Sequence, residues 1–384
     1  MSTNPQKRIY LDHAATSFPK APGVAEAIQN YLSECGASAG RGAYQEAFEA
    51  KDLLDEVRED LADLIAAKDP KRLIFTLNAS DALNLALKGI LKLKDHVVVS
   101  GIEHNSVCRP LHELKKRLEI EFTKIPVSLE GELDFKLLEK SIRPTTRLLA
   151  FLQGSNVSGT LLPLELLSDF SFKKGIPLLV DASQTLGAYP LDVTKIKIDL
   201  LAFPGHKSLL GPLGTGGLWV REGLDLQTLK EGGTGSFSEE DTQPKFWPDI
   251  HESGSHNLLG IAGLGAALKF LKATGVEKIR QHKENLLQQF MEGLKNIPSL
   301  KVIAAPVKQN AGVISLQHPR LNPQEFALAL DAQFRIQVRP GLHCAPWAHQ
   351  TFGTYPQGTV RMSIGYSNTV QEVEAVLKAL RSFS

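Results

Sequence analysis

The 384 residues are enough for two domains at roughly 150 residues each, and a chain of this size needs no disulfide or metal staple. A composition of 42% hydrophobic and 22% charged residues excludes a largely disordered chain. With 43 Lys and Arg against 42 Asp and Glu, the formal charge of +1 excludes the broad basic field of a general nucleic-acid binder.

Met1 to Tyr10 is polar and lacks the apolar core of a secretory signal. No apolar run approaches the roughly 18 residues that span a bilayer, so a cytoplasmic protein without a membrane partner is expected. Helical spacing covers Pro22 to Ser33 and Glu49 to Ala66, followed by a strand at Leu73 to Thr76 and a helix at Ala82 to Leu91. A strand at Val97 to Ser100 and a helix at Leu111 to Leu118 come next. Leu148 to Leu152 and Leu178 to Val180 are continuous apolar runs, as in strands covered on both faces by crossover helices. Leu200 to Phe203 and Gly217 to Val220 complete the series. The pattern predicts a three-layer α/β domain around a mostly parallel sheet of about seven strands.

Asn257 to Leu271 reads as a Gly- and Ala-rich helix suited to close packing, and Val276 to Leu294 as a longer helix. A strand (Ala311 to Leu316), a helix (Pro323 to Ala332), strands (Ile336 to Arg339, Val360 to Ile364) and a helix (Val370 to Leu380) follow. We place a large domain at residues 15–266, and a smaller α+β domain at residues 1–14 and 267–384.

Four segments that could carry chemistry follow strands. Phe203-Pro204-Gly205-His206-Lys207 puts a lysine beyond a strand's C-terminal end, where α/β folds bind ligands. Such an amine, once desolvated, forms Schiff bases; the alternative is a solvated lysine in a Gly-rich loop. Asp181 ends another strand, where an Asp binds metal, caps a helix or holds a protonated pyridine nitrogen. Asn78-Ala79-Ser80-Asp81 reads as a phosphate cradle at a helix start, or as a plain N-cap. His104 falls at the same sheet edge. Together these groups describe a pyridoxal-phosphate pocket, with no metal.

Cys35, Cys108 and Cys344 are too scattered for a disulfide framework or a zinc site. Cys344 has Arg339, His343 and Pro346 near it in sequence, and positive charge favours a reactive thiolate. Cys108 suits a buried structural role, and Cys35 a partly exposed one.

Nearly the whole chain resembles a cysteine desulfurase of the class V aminotransferase family, within the fold-type I pyridoxal-phosphate enzymes. The resemblance rests on Tyr10-Leu11-Asp12-His13-Ala14-Ala15-Thr16, Arg41-Gly42-Ala43-Tyr44, Glu103-His104-Asn105 and Ser155-Asn156-Val157-Ser158-Gly159-Thr160. It continues through Asp181-Ala182-Ser183-Gln184, Gly205-His206-Lys207 and Glu252-Ser253-Gly254-Ser255. Arg339-Pro340-Gly341-Leu342-His343-Cys344-Ala345-Pro346 and Val360-Arg361-Met362-Ser363 complete it.

The resemblance implies that Lys207 carries the cofactor, Asp181 pairs with its ring nitrogen and His104 stacks over the ring. Asn156 and Gln184 would hydrogen-bond its ring substituents. Ser80, His206 and the backbone around Ala79 would hold the phosphate, with Ser255 reaching in from the other subunit of a homodimer. Arg361 would bind the substrate carboxylate with Asn156, while Arg339 would lie near Cys344. Arg41 would be a phosphate-side contact across the dimer, counted with the substrate-binding residues, or a surface residue. Cys344 would be the nucleophile that takes sulfur from L-cysteine, leaving L-alanine, and passes it to an acceptor protein or a small thiol.

The same machinery would serve a selenocysteine lyase acting on L-selenocysteine, or a cysteine or cystine lyase that releases pyruvate without Cys344. An aminotransferase or epimerase would not use the thiol. A non-catalytic dimeric scaffold is the alternative outside enzymes. Three positions depart from the resemblance. Pro204 and Ala79 stand where hydroxyl residues are common, and His256 replaces a common Pro. The compact segment from Arg339 to Pro346 resembles the second group of desulfurases, whose turnover depends on a sulfur-acceptor protein.

Overall fold

The apolar runs of the first two thirds become strands of one sheet, and the polar edge between them becomes a cavity. The computed structural model describes residues 8–40 and 42–383. The chain opens with β1 (Ile9–Tyr10) and α1 (Val24–Asn30), which runs on as a π-helical turn over Tyr31–Cys35. Then come α2 (Gln45–Leu64), β2 (Leu73–Thr76), α3 (Ala79–Ile90), β3 (His96–Ser100), α4 (Asn105–Leu118), β4 (Glu121–Ile125) and α5 (Phe135–Ser141). They are followed by β5 (Thr146–Leu152), α6 (Leu164–Lys174), β6 (Leu178–Asp181), β7 (Leu200–Pro204) and β8 (Gly216–Val220).

These form a seven-stranded sheet of order β2-β8-β7-β6-β5-β3-β4. Only β8 is antiparallel to its neighbours; the other pairs are parallel, as expected for crossover connections. Residues of β3, β6, β7 and β8 are all buried, which explains their unbroken apolar runs. β4 escaped the sequence reading because it is an edge strand in which Glu121 and Lys124 are exposed, so it carries no such run. Helix α4 begins well before Leu111, the expected start. His104 caps it and Pro110 lies inside it, where a proline reads as a break.

The second part holds α7 (Leu258–Thr274), α8 (Val276–Leu294), β9 (Lys301–Ile303), β10 (Val313–Gln317) and α9 (Pro323–Phe334). It ends with β11 (Ile336–Gln337), β12 (Arg339–Gly341), α10 (Pro346–Thr351), β13 (Thr359–Ser363) and α11 (Val370–Arg381). Gly265 lets α7 lie against α2, since a Cβ there would come within 2.7 Å of Val57. The single strand expected over Ile336 to Arg339 is instead two. β11 pairs with β1, whereas β12 is the edge of a four-stranded sheet β12-β13-β10-β9. Pro340, which has no N–H to give, is tolerated at such an edge.

Two apolar cores cover opposite faces of the large sheet, one under α1, α2, α6 and α7 and the other under α3 and α4. A third joins Ile9 and Leu11 to α8, α9, α11, β10 and β13. Among the described residues no single helix is long and apolar enough to cross a membrane.

Candidate active site

Asp181, at the end of β6, sits in register with Leu152 of β5 and Ala202 of β7. The residues just beyond these strand ends, and beyond β2 and β3, line one cavity of about 200 Å³. Ser80, His104, Asn156, Asp181, Gln184, His206 and Lys207 face it from the large sheet. Arg339, Cys344 and Arg361 face it from the other side. Ala79 and Pro204 also line it.

Lys207 follows β7 through Gly205, where a Cβ would come within 2.1 Å of Thr215 Oγ1. The His206 carbonyl accepts from Lys20 Nζ (2.9 Å), the Ser17 amide (3.0 Å) and Thr16 Oγ1 (3.1 Å), which pins the lysine's backbone. Burial pulls the Lys207 amine down to about 8; Asp181 opposes the shift, while Arg361 and Arg339 add to it. Asp181 is 5% exposed, and burial pushes its carboxyl up, against the Ser183 amide that donates to Oδ1 at 2.9 Å and the Lys207 charge. A buried carboxylate with so little support suits a cationic partner.

Burial, then Lys207, Arg339 and Arg361, hold His104 at about 3. The ring is therefore neutral. Its Nδ1 accepts from the Ser106 amide at 3.1 Å, so the ring proton sits on Nε2. Gln184 Nε2 donates to the Ala14 carbonyl at 3.1 Å. His206 is held at about 4, first by burial, and its Nδ1 has no hydrogen-bond partner.

Arg361 is 1% exposed and donates to Asp12 at 2.6 Å and to the Asn156 carbonyl at 3.2 Å; its Nε is buried without a partner. Burial lowers its pKa and Asp12 raises it back. Arg339 is the cross-strand neighbour of Arg361, and its Nη2 lies 3.9 Å from Cys344 Sγ. Cys344 is exposed and follows His343; both have positive φ, +56° and +50°. Asn156 Nδ2 donates to the His343 carbonyl at 2.7 Å, the Asn105 amide to the Cys344 carbonyl at 2.8 Å and the Ala345 amide to the Leu342 carbonyl at 2.8 Å, which helps to hold this segment.

One expectation is corrected. The sequence suggests His343 as a charge beside the thiol, but its ring is buried against His349 and bonds Thr359 Oγ1 at 3.0 Å. Burial and the nearby Arg361 push it well below its ordinary value, so it is neutral. Arg339 is the cation in contact with the sulfur.

Ser255 is exposed and lies away from this cavity, in clefts with Glu252 and His256. Arg41 lies outside the described residues. Cys108 is buried, with Sγ donating to the Glu103 carbonyl, and Cys35 is partly exposed. Sequence reasoning missed Asp12, which pairs with Arg361, and Ser106, which lines the cavity beside Ser80. A second cleft, of about 600 Å³ and lined by Arg72, Phe172 and Trp219, lies toward the opposite strand ends and holds none of these groups.

The aminotransferase class-V family matches residues 9–376. A probable cysteine desulfurase of Methanothermobacter thermautotrophicus is 33% identical, covering 98% of this chain and 94% of its own length. One from Pyrococcus abyssi is likewise 33% identical, covering 98% and 94%. Among solved structures, the apo cysteine desulfurase of Thermococcus onnurineus superposes with a TM-score of 0.88 at 30% identity, covering 98% and 94%. The cysteine desulfurase CsdA (S-sulfonic acid) of Escherichia coli gives 0.88 at 27%, again covering 98% and 94%.

Proposed function

The chain belongs to the aminotransferase class-V family, as a fold-type I pyridoxal-phosphate enzyme of the cysteine desulfurase kind, and from that premise we propose a specific reaction. L-cysteine is converted to L-alanine, and the sulfur is held as a persulfide on Cys344. The observation that carries this reading is an exposed thiol with Arg339 at 3.9 Å, lining one cavity with Lys207 and Asp181.

The residues present fit the cofactor. Asn156 Oδ1, His206 Nδ1 and Arg361 Nε are buried polar atoms without partners, all on residues that line the cavity. Each calls for a polar group to be bound there. Lys207 would hold the cofactor's aldehyde carbon, Asp181 its ring nitrogen, His104 its ring face, and Ser80 with the first turn of α3 its phosphate. Once bound, the cofactor supplies an electron sink that loosens the bonds at the substrate α-carbon.

The protein's own groups divide the remaining work. Arg361, oriented by Asp12, binds the substrate carboxylate, with Asn156 beside it. Lys207, whose amine is partly neutral near pH 8, takes and returns the proton at the α-carbon. The buried Asp181 carboxylate, oriented by the Ser183 amide, would stabilise a proton on the ring nitrogen. Cys344 Sγ forms a bond to the substrate sulfur as the carbon–sulfur bond breaks. The electron pair of that bond stays on carbon, which takes up a proton, so thiol plus cysteine become persulfide plus alanine. Arg339 stabilises the attacking thiolate.

The persulfide then passes to an acceptor protein. We read the working form as a homodimer, because Ser255 stands exposed outside its own chain's cavity. The test supplies L-cysteine and measures alanine, pyruvate and sulfur bound at Cys344 in one sample. Alanine with labelled Cys344 is expected. Pyruvate as the main product, with Cys344 unlabelled, replaces the reading by a lyase.

A further inference from the structure

Helices α3 and α4 start side by side at the cavity although their preceding strands, β2 and β3, lie far apart in the sheet. Their first turns touch through two hydroxyls. Ser80 Oγ and Ser106 Oγ are 2.5 Å apart, and Ser106 Oγ is 2.9 Å from His104 Nδ1. Both serines line the cavity with Ala79, Pro204, His206 and Lys207.

We propose that Ser106 is a second hydroxyl ligand for the phosphomonoester end of the cofactor, acting with Ser80. This rests on reading the cavity as a pyridoxal-phosphate site.

A dianion needs several donors, and this wall is short of them. Ala79 has no hydroxyl, and Pro204 has neither hydroxyl nor N–H. The amides of Ala79 and Ser80, in the first turn of α3, have no carbonyl of their own helix to donate to and remain for an anion. The first amides of α4 are already committed: Asn105 to the Cys344 carbonyl (2.8 Å), Ser106 to His104 Nδ1 (3.1 Å) and Val107 to the His104 carbonyl (2.9 Å). What α4 presents to the cavity is therefore the Ser106 side chain.

That hydroxyl is free to turn. With His104 Nδ1 an acceptor, the chain runs from the Ser80 O–H to Ser106 Oγ and from the Ser106 O–H to Nδ1. If both hydroxyls rotate toward an anion, Nδ1 keeps the Ser106 amide as its donor. His104 thus loses no obligatory partner, and two O–H groups become available in one place. The unpartnered Nδ1 of His206 and the 7% exposed Asn156 with its free Oδ1 mark the same cavity as one built around a polar ligand.

The test strips the full-length protein of cofactor and titrates it with pyridoxal phosphate and, separately, pyridoxal, following absorbance and tryptophan fluorescence. In Ser106→Ala the affinity for pyridoxal phosphate should fall about tenfold to a hundredfold, the loss of one hydrogen bond to a charged group. The affinity for pyridoxal should not change, and Ser106→Thr should match the wild type. Unchanged binding of pyridoxal phosphate by Ser106→Ala overturns the proposal. So does an equal loss with pyridoxal, which would make Ser106 a support for His104 alone, or a threonine variant as weak as alanine. Wild-type protein that binds no pyridoxal phosphate overturns the cofactor reading instead, and is seen before any variant is made.

Discussion

Lys207 and Cys344 face the same cavity from walls of different construction. The lysine's wall is made of strand ends: β6 and β7 are buried throughout, in register, and the His206 carbonyl is held by donors from Thr16, Ser17 and Lys20. The thiol's wall turns on two consecutive non-glycine residues in the left-handed region, tied by Asn156 Nδ2, by the Asn105 amide and by the bond between the His343 ring and Thr359 Oγ1. Each such residue costs about 1–3 kcal/mol, and each hydrogen bond contributes about 0.5–1.5 kcal/mol. The sheet edge is therefore overdetermined, whereas in the cysteine segment the cost of the left-handed pair offsets much of what its few hydrogen bonds contribute. The difference matches the two tasks. A ring and a proton donor must stay aligned, whereas a thiol that receives sulfur must also present it to something else.

The largest effect should come from breaking the rigid wall. Lys207→Ala removes the cofactor's covalent anchor and the acid–base group together, and should lower alanine formation roughly 10⁴-fold or more. A steady-state assay with full cofactor present checks this; activity within about tenfold of wild type would show that another amine serves. Breaking the other wall should separate the two functions. Cys344→Ala leaves Lys207, Asp181 and Arg361 in place, so the protein should remain yellow and respond spectrally to cysteine. Sulfur transfer should fall roughly 10³-fold. Retention of the full rate would remove the thiol from the reaction.

Asp181→Asn tests the electronics of the rigid wall without disturbing its packing. The amide fills the same space but stabilises a pyridinium proton poorly. Turnover should drop about a hundredfold while the cofactor stays bound. Near-normal turnover in that variant would mean that Asp181 only supports the strand end.

The strand-end wall was legible in the sequence, and so were Arg339, Cys344 and Arg361 of the thiol wall through the family resemblance; several contacts that hold the two walls were not. Continuous apolar runs announced β5, β6, β7 and β8, and ligands gather beyond such strand ends. Lys207, Asp181 and His104 can therefore be assigned to one edge from the sequence. Ser106 carried no signal, because its meaning depends on Ser80 meeting it across two helix starts. Asp12 was equally silent, since its partner Arg361 lies at the far end of the chain. His343 was misread because a histidine beside a reactive cysteine suggests charge, and only packing against His349 and Thr359 reveals a buried neutral ring. Burial and long-range pairing are what the missed features share.

The smallest predicted effect sharpens the contrast most. Asn156 belongs to the strand-end wall, following β5, yet its Nδ2 donates to the His343 carbonyl and so holds the thiol's segment in place. Asn156→Ala removes that bond and leaves the Asn105 amide, at 2.8 Å from the Cys344 carbonyl, and the His343–Thr359 bond to hold the segment. A loss of about 0.5–1.5 kcal/mol from this strained segment should raise local opening roughly twofold to tenfold. Hydrogen exchange on the cofactor-free protein reads this directly. A peptide spanning residues 341–346 should exchange faster by that factor. A peptide spanning residues 200–205 should not change, because its amides are paired within the sheet or to Thr215 and do not depend on Asn156. Unchanged exchange at residues 341–346 would mean that the left-handed pair is held by its own packing, and the two walls would then be equally rigid. Faster exchange at both peptides would mean that Asn156 supports the sheet edge itself, and the division between a fixed wall and an adjustable one would fail.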